Sequence, residues 1–375
     1  MDDRLESMYR RFTWRILSNY VTPFEFDRQQ RAIGDYEQWC GSWLALAEEH
    51  GRRGDEAAAA GRRVTAGDEY VRAGLCCHWA SFMFCHDQEA YAGALAQMEG
   101  YWRKAAPLVD PPMEIVDVEF EGVALHGYVR VPLREDGQRP PLAVLLPGAD
   151  STKEELYNLA EHLVTRGIAI AAFDGPGQGS VSLEMKLRPD YERAVQAILD
   201  ALTRRDDVDA TRLAVGGISY GGLFAMRAAA VDDRVSAAFS ISSWYTPAGR
   251  FATMEPLSQV GQYQHLGEDP ASVMESITLA GVLDRVTVPV LQVFGEDDPA
   301  SPPSHGERVA AEIAGPITTV VIPEGVHVVN NVWPQARALV ADWVAETLAA
   351  VSPDGTRAAP ARDETLAVTA GEDHR

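Results

Sequence analysis

The sequence predicts an α/β protein: a mostly parallel sheet covered by helices on both faces, preceded by a helical domain and interrupted late by an insertion. Three observations carry this. From residue 114 onward short apolar runs alternate with helical patterns, the signature of a sheet with crossover helices. The first 112 residues contain no convincing strand. Residues 243–283 break the alternation between two strands, and an insertion at such a point lies over the strand ends, where open α/β sheets bind ligands.

Helical periodicity opens the chain in Phe12, Ile16 and Leu17 and returns in Trp39, Trp43, Leu44, Leu46 and Ala47. Residues 51–61, rich in Gly, Arg and Ala, read as a loop with a polar helix start. Residues 68–86 are apolar around nearly the whole helical circumference, so this helix is expected to be buried on most sides. It is read as a lid helix whose aromatic residues, Phe82 among them, and His78 line a substrate cavity. A further helix near 88–106 stops before Pro107 and the Asp110-Pro111-Pro112 break, because proline lacks an N–H and clashes with the preceding turn. The expected domains are a helical lid over 1–112, a catalytic domain over 113–350 and a mobile tail over 351–375.

Residues 114–120 and 123–131 alternate apolar and polar around Glu121-Gly122, an antiparallel hairpin. Strands follow at 142–146, 168–173, 213–218, 235–241, 288–294 and 317–322, with helices near 189–205, 302–314 and 332–349. Ser151 and Glu154 have capping-box spacing, predicting a helix from Ser151 to about Arg166.

The chain of 375 residues carries 33 Lys and Arg against 55 Asp and Glu, a net charge of −22. Such acidity argues against a nucleic-acid backbone or an anionic membrane as partner. With no basic-then-apolar start and no run of about 18 apolar residues, a cytoplasmic protein is expected. The cysteines, Cys40, Cys76, Cys77 and Cys85, lack CxxC spacing, so buried free thiols are expected in place of a metal site or disulfides. No metal or cofactor is called for.

The chain is organised around residues 213–226. An apolar strand leads into Gly217-Ile218-Ser219-Tyr220-Gly221, and a small-residue helix follows. This is the Gly-x-Ser-x-Gly nucleophile elbow, in which the serine sits in a strained turn between strand and helix. Its base and acid follow in chain order. After the strand ending at Phe294 comes Gly295-Glu296-Asp297-Asp298, and after the next strand comes Pro323-Glu324-Gly325-Val326-His327. Asp298, three positions beyond the closing glycine, is the chosen acid, with Asp297 the neighbouring alternative. His327 is preferred to His265 and His305, which lie in the insertion and at a helix start. The backbone NH groups of Tyr220 and Ala149 are the expected oxyanion donors. Residues 174–179 lack the Lys-Ser/Thr ending of a phosphate loop and read as a demanding turn beside the site.

With these residues placed, the chain resembles the α/β-hydrolase group that includes dihydroxypseudooxynicotine hydrolase, the fermentation/respiration switch protein and fungal polyketide-shortening hydrolases. The resemblance rests on Pro147-Gly148-Ala149-Asp150-Ser151-Thr152-Lys153-Glu154-Glu155, on Phe173-Asp174-Gly175-Pro176-Gly177-Gln178-Gly179, on the elbow at Ser219 and on Asp298 and His327. It implies an α/β-hydrolase fold with a helical lid, a triad of Ser219, Asp298 and His327, and a small carbonyl-bearing substrate of β-diketone, aryl ketone or polyketide type. Members that cleave a carbon–carbon bond beside a ketone imply that reaction, through an acyl-enzyme; an esterase or lactonase, an acyltransferase or cyclase, and a non-catalytic binding protein are the alternatives. The resemblance makes Glu255 the counterpart of a glutamate after the sixth strand, and it allows a homodimer. Candidate substrate contacts are His78, Phe82, Trp244 and Glu255.

Overall fold

A nine-stranded sheet runs through the described part of the computed structural model, residues 2–134, 136–351 and 364–367. Its spatial order is β1 (Met113–Phe120), β2 (Val123–Arg130), β4 (Ala169–Phe173), β3 (Pro141–Leu146), β5 (Asp209–Ile218), β6 (Ala237–Ile241), β7 (Val290–Gly295), β8 (Ile317–Ile322) and β9 (Glu364–Ala367). The β1–β2 hairpin and the β2–β4 pairing are antiparallel; every pairing from β4 to β9 is parallel. β3, β4, β6 and β7 are buried throughout, which is why they read as unbroken apolar runs. One face packs against α7 (Glu192–Leu202) and α8 (Tyr220–Ala229), the other against α6 (Tyr157–Val164) and α12 (Trp333–Ala349). Chain order and crossover connections bring the loops after β3, β5, β6, β7 and β8 to one rim. Among the described residues no helix is long and apolar enough to cross a membrane.

Ahead of the sheet come α1 (Asp3–Leu17), α2 (Pro23–Ala32), α3 (Trp39–Ala59), α4 (Arg63–Ser81) and α5 (Gln88–Ala105). They enclose a core of their own around Trp39, Trp43, Trp79 and Met98. The four cysteines lie in or beside it, free and buried. The loop expected at 51–61 is not there: α3 continues to Ala59. Its glycines serve packing, since a Cβ on Gly51 would come within 2.5 Å of the Tyr101 ring and one on Gly54 within 2.6 Å of the Tyr70 ring.

Two further helix boundaries differ from expectation. The helix expected over 68–86 starts at Arg63 and ends at Ser81, whose Oγ donates to the His78 carbonyl (2.9 Å) while Phe82 turns extended and Met83 takes φ +59°. The helix expected from Ser151 starts at Tyr157. Its capping residues are diverted, Ser151 Oγ to Glu155 and Glu154 to an ion pair with Lys153, and residues 152–157 form successive i to i+3 turns instead.

The insertion holds α9 (Pro256–Leu266) and α10 (Pro270–Ser276). α9 is pinned to the helical region by Arg11 to Ser258 Oγ (2.6 Å) and Gln88 to Gln264 (2.9 Å). The linker is held by buried Arg130, which donates to the carbonyls of Asp110 (2.8 Å) and Pro111 (3.1 Å) and pairs with Glu161. The tail expected over 351–375 lies outside the described residues except for Val351 and β9, which extends the sheet alongside β8.

Candidate active site

Ser219 occupies the turn between β5 and α8 at φ 52°, ψ −117°, a conformation an L-residue adopts only under constraint. The constraint is the end of β3. A Cβ on Gly217 would stand 2.2 Å from the Leu146 carbonyl oxygen, and one on Gly221 would stand 2.0 Å from it, so neither position tolerates a side chain. The Ser219 amide is tied to the Ile241 carbonyl at 2.8 Å.

The turns after β7 and β8 cross at a pair of glycines. A Cβ on Gly295 would meet the Gly325 carbonyl at 2.2 Å, and the Asp297 amide donates to that carbonyl at 2.9 Å. This crossing carries Asp298 and His327 to the elbow. His327 Nδ1 lies 2.8 Å from Asp298 Oδ2, and His327 Nε2 lies 3.3 Å from Ser219 Oγ. Trp244 Nε1 donates to the same Oγ at 3.1 Å. An indole N–H only donates, so the serine proton is left to face His327 Nε2, which accepts it when Nδ1–H is turned to Asp298.

Asp298 is 2 % exposed, and its other oxygen accepts the amides of Ala300 (2.8 Å) and Ser301 (2.9 Å). Burial pushes its carboxyl up, but the charge and hydrogen bond of His327, with help from Ser301 and Ser242, hold it below the usual carboxylate value. Glu296 and Asp297 are exposed. His265 Nδ1 is bonded to the Gly177 carbonyl (2.9 Å), and His305 Nδ1 accepts the Tyr245 amide (3.2 Å). Of the competing acids and histidines, only Asp298 and His327 form a chain to the hydroxyl.

Tyr220 is the first residue of α8, and its amide has no carbonyl to bond within its own helix. Ala149 follows Gly148, whose added Cβ would sit 3.5 Å from Ser219 Cβ. The orientation of this loop is set by a residue absent from the sequence-based candidates. Gln178 Nε2 donates to the carbonyls of Pro147 (2.6 Å) and Gly148 (3.1 Å), while its Oε1 accepts the Gly175 amide (2.9 Å) and the Tyr191 hydroxyl (2.5 Å). The Gly148 carbonyl and the Ala149 N–H share one trans peptide, so anchoring the first aims the second the opposite way. The signal was a lone amide among the glycines of residues 174–179. Gln178→Leu is expected to lower kcat about 10- to 100-fold with KM changed by less than about threefold, because an oxyanion donor acts mainly in the transition state. Steady-state kinetics on an aryl ester checks this.

Next to Ala149 a network joins the helical region to the sheet. Arg15 of α1 bonds both oxygens of Glu155 (2.6 Å each) and reaches Asp150 at 3.0 Å. His78 Nδ1 contacts Thr152 Oγ1 (3.3 Å), and His78 Nε2 stands 3.5 Å from Glu155 without a well-formed hydrogen bond. His78 and Phe82 line a cavity of about 240 Å³, its open mouth included, together with Asp150, Thr152 and His265. Trp244 lies beside Ser219 and His327. Glu255 is not: it is bound by Ser7 Oγ (2.5 Å) and Arg10 (2.7 Å) at the seam between α1 and α9.

Residues 34–247 match the model of the FrsA-like esterases, and residues 157–350 match that of the prolyl oligopeptidase family. The 2,6-dihydropseudooxynicotine hydrolase of Paenarthrobacter nicotinovorans is 30 % identical, over 86 % of this chain and 87 % of that protein. The α/β hydrolase pydG of an Acremonium species is 36 % identical over 56 % of this chain and 52 % of its own length. A crystal structure of the 2,6-dihydroxy-pseudo-oxynicotine hydrolase superposes with a TM-score of 0.82 at 26 % identity, covering 93 % of this chain and 98 % of that one. The chain therefore has the α/β-hydrolase fold and belongs to the FrsA-like esterase family of hydrolases.

Proposed function

We propose that this hydrolase works by a Ser219–His327–Asp298 triad on a small carbonyl-bearing substrate, a β-diketone, aryl ketone or polyketide-like molecule, and cleaves a carbon–carbon bond through an acyl-enzyme. The observation that carries the reading is the hydrogen-bonded chain from Asp298 through His327 to Ser219 Oγ on a strained elbow. In this scheme Ser219 attacks the ketone carbon as its proton passes to His327 Nε2. The resulting alkoxide is held by the amides of Tyr220 and Ala149, and Asp298 stabilises the imidazolium. Collapse breaks the bond from the carbonyl carbon to the adjacent carbon, whose electron pair is delocalised into a neighbouring carbonyl or, in an aryl ketone, into a phenolic ring, and takes the proton from His327. Water, activated by the same histidine, then releases the acyl group as a carboxylic acid and restores Ser219.

The carbon–carbon reading draws on the likeness to the Paenarthrobacter hydrolase over most of both chains. The match to an esterase family supports a second reading, hydrolysis of an ester by the same steps. Turnover of aryl β-diketones is compared with turnover of matched aryl esters, with Ser219→Ala as control and a fluorophosphonate probe as label. Diketone cleavage lost in Ser219→Ala supports the first reading, and ester turnover alone supports the second. Labelling with neither points to acyl transfer or cyclisation, whereas no labelling at all removes the triad mechanism. A metal-free and cofactor-free site, a cytoplasmic setting and a homodimer belong to the same proposal.

A further inference from the structure

Arg337 of α12 is only 9 % exposed and has no carboxylate partner among the described residues. Its contacts are Nη1 to the Ser18 carbonyl at 3.0 Å and the ring of Trp333, 4.6 Å from the guanidinium carbon. A guanidinium presents five N–H donors, of which only Nη1 has a protein acceptor among the described residues, and an ion largely taken out of water without a counter-ion is costly. Burial pulls it down to about 10, which leaves it charged at neutral pH. The carboxylate that acts on it, Glu155, is committed to Arg15 and Ser151.

The side chain borders a cavity of about 400 Å³, its open mouth included, whose wall contains Asn19, Glu155, Leu159, Ile218, Val328 and Ala336. Ile218 and Val328 are the chain neighbours of Ser219 and His327, which do not themselves line the space. It shares no lining residue with the cavity of His78 and Phe82. A second polar atom there is unsatisfied: Asn19 Oδ1 is buried without a hydrogen-bond partner. The cavity thus combines a cation without an ion-pair partner, an idle acceptor and apolar side chains, and the one carboxylate in its wall, Glu155, is taken up by Arg15 and Ser151.

We propose that this cavity is a binding site for a short-chain carboxylate, with the carboxylate on Arg337, the carbon chain against Leu159, Ile218 and Val328, and a hydroxyl or water donating to Asn19 Oδ1. The same chemistry has two sources. One is a free organic acid; the other is a carboxylate carried on the acyl part of the substrate, and this second source rests on the function proposed above.

Butyrate, with butyramide as its neutral isostere, is titrated into the full chain and followed by calorimetry and ligand-observed NMR. Butyrate is expected to bind at least about tenfold more tightly than butyramide, the preference a charge-assisted pair confers, and Arg337→Gln is expected to abolish that preference. Ala336→Leu, which fills the cavity wall and leaves the charge in place, is expected to weaken both ligands, so the test stands even where Arg337→Gln fails to fold. No butyrate binding, equal affinity for acid and amide, or unchanged preference in Arg337→Gln overturns the proposal. Because binding is read without turnover, a failed hydrolase assignment leaves this result untouched. The source is then separated with an aryl acetate as substrate: butyrate raising KM alone identifies the cavity as the seat of the acyl part, and butyrate changing kcat identifies a separate site for a free acid. Both patterns uphold the carboxylate site.

Discussion

Replacing Ser219 by alanine is expected to lower kcat about ten-thousand-fold or more, leaving only the residual catalysis that an oxyanion hole and substrate binding supply without a nucleophile. The fold should survive. Alanine keeps the same Cβ in the same φ 52° turn, and among the described residues the lost hydroxyl bonds only His327 and Trp244. Asp298→Asn should approach the same loss by a different route, because an amide cannot favour the Nδ1–H tautomer or balance the imidazolium. Single-turnover kinetics on an activated aryl ester, with thermal unfolding alongside, measures both. A Ser219→Ala rate within about tenfold of the unaltered protein contradicts covalent catalysis by this residue.

The largest stability effect is expected from Arg15→Met. The Arg15 side chain is 12 % exposed and Glu155 4 %, so the substitution leaves Glu155 buried and Asp150 partly buried without their cation. Breaking such a pair costs about 3 to 5 kcal/mol. The pH dependence identifies the cause. Burial pushes Glu155 up, but the charge of Arg15, its hydrogen bonds and His78 hold it well below the ordinary carboxylate value. A carboxyl depressed in the folded state contributes stability above its unfolded value of about 4.3, and that stability is lost on acidification. Without Arg15 the burial effect dominates, the folded value rises above the unfolded one, and the variant recovers stability as pH falls. The deficit should therefore be largest at pH 7 to 8 and shrink toward pH 5. Urea unfolding at both pH values checks this; a deficit independent of pH would locate the loss in packing. Arg15→Lys keeps a charge but not the two-pronged contact, and it should fall between.

What the chain disclosed follows from where its physics is local. Strands buried on both faces write themselves as apolar runs, so β3, β4, β6 and β7 were legible, as was the elbow, whose glycines, two residues away on either side of Ser219, are demanded by the one Leu146 carbonyl. Gly51 and Gly54 misled because a glycine needed for close helix packing looks the same as one needed for a turn. Ser151 and Glu154 misled because capping-box spacing does not reveal that both side chains are claimed by a buried ionic network. Long-range partners were invisible: nothing near Arg15 announces Glu155, 140 positions away, nothing near Glu255 announces Ser7, and Gln178 shows its role only once Gly148 is beside it. The choice among Glu296, Asp297 and Asp298 rested on a counting rule, and burial of Asp298 alone gives it a physical reason.

Trapping the acyl-enzyme is the most direct test of the covalent mechanism. An activated aryl ester is mixed with the protein, the reaction is quenched in acid within the first turnover, and the digested chain is mapped by mass spectrometry. The expected result is one acyl adduct, on the peptide that contains Ser219, forming no more slowly than turnover and absent from Ser219→Ala. Sustained turnover with no adduct on that peptide, or an adduct that persists in Ser219→Ala, contradicts it.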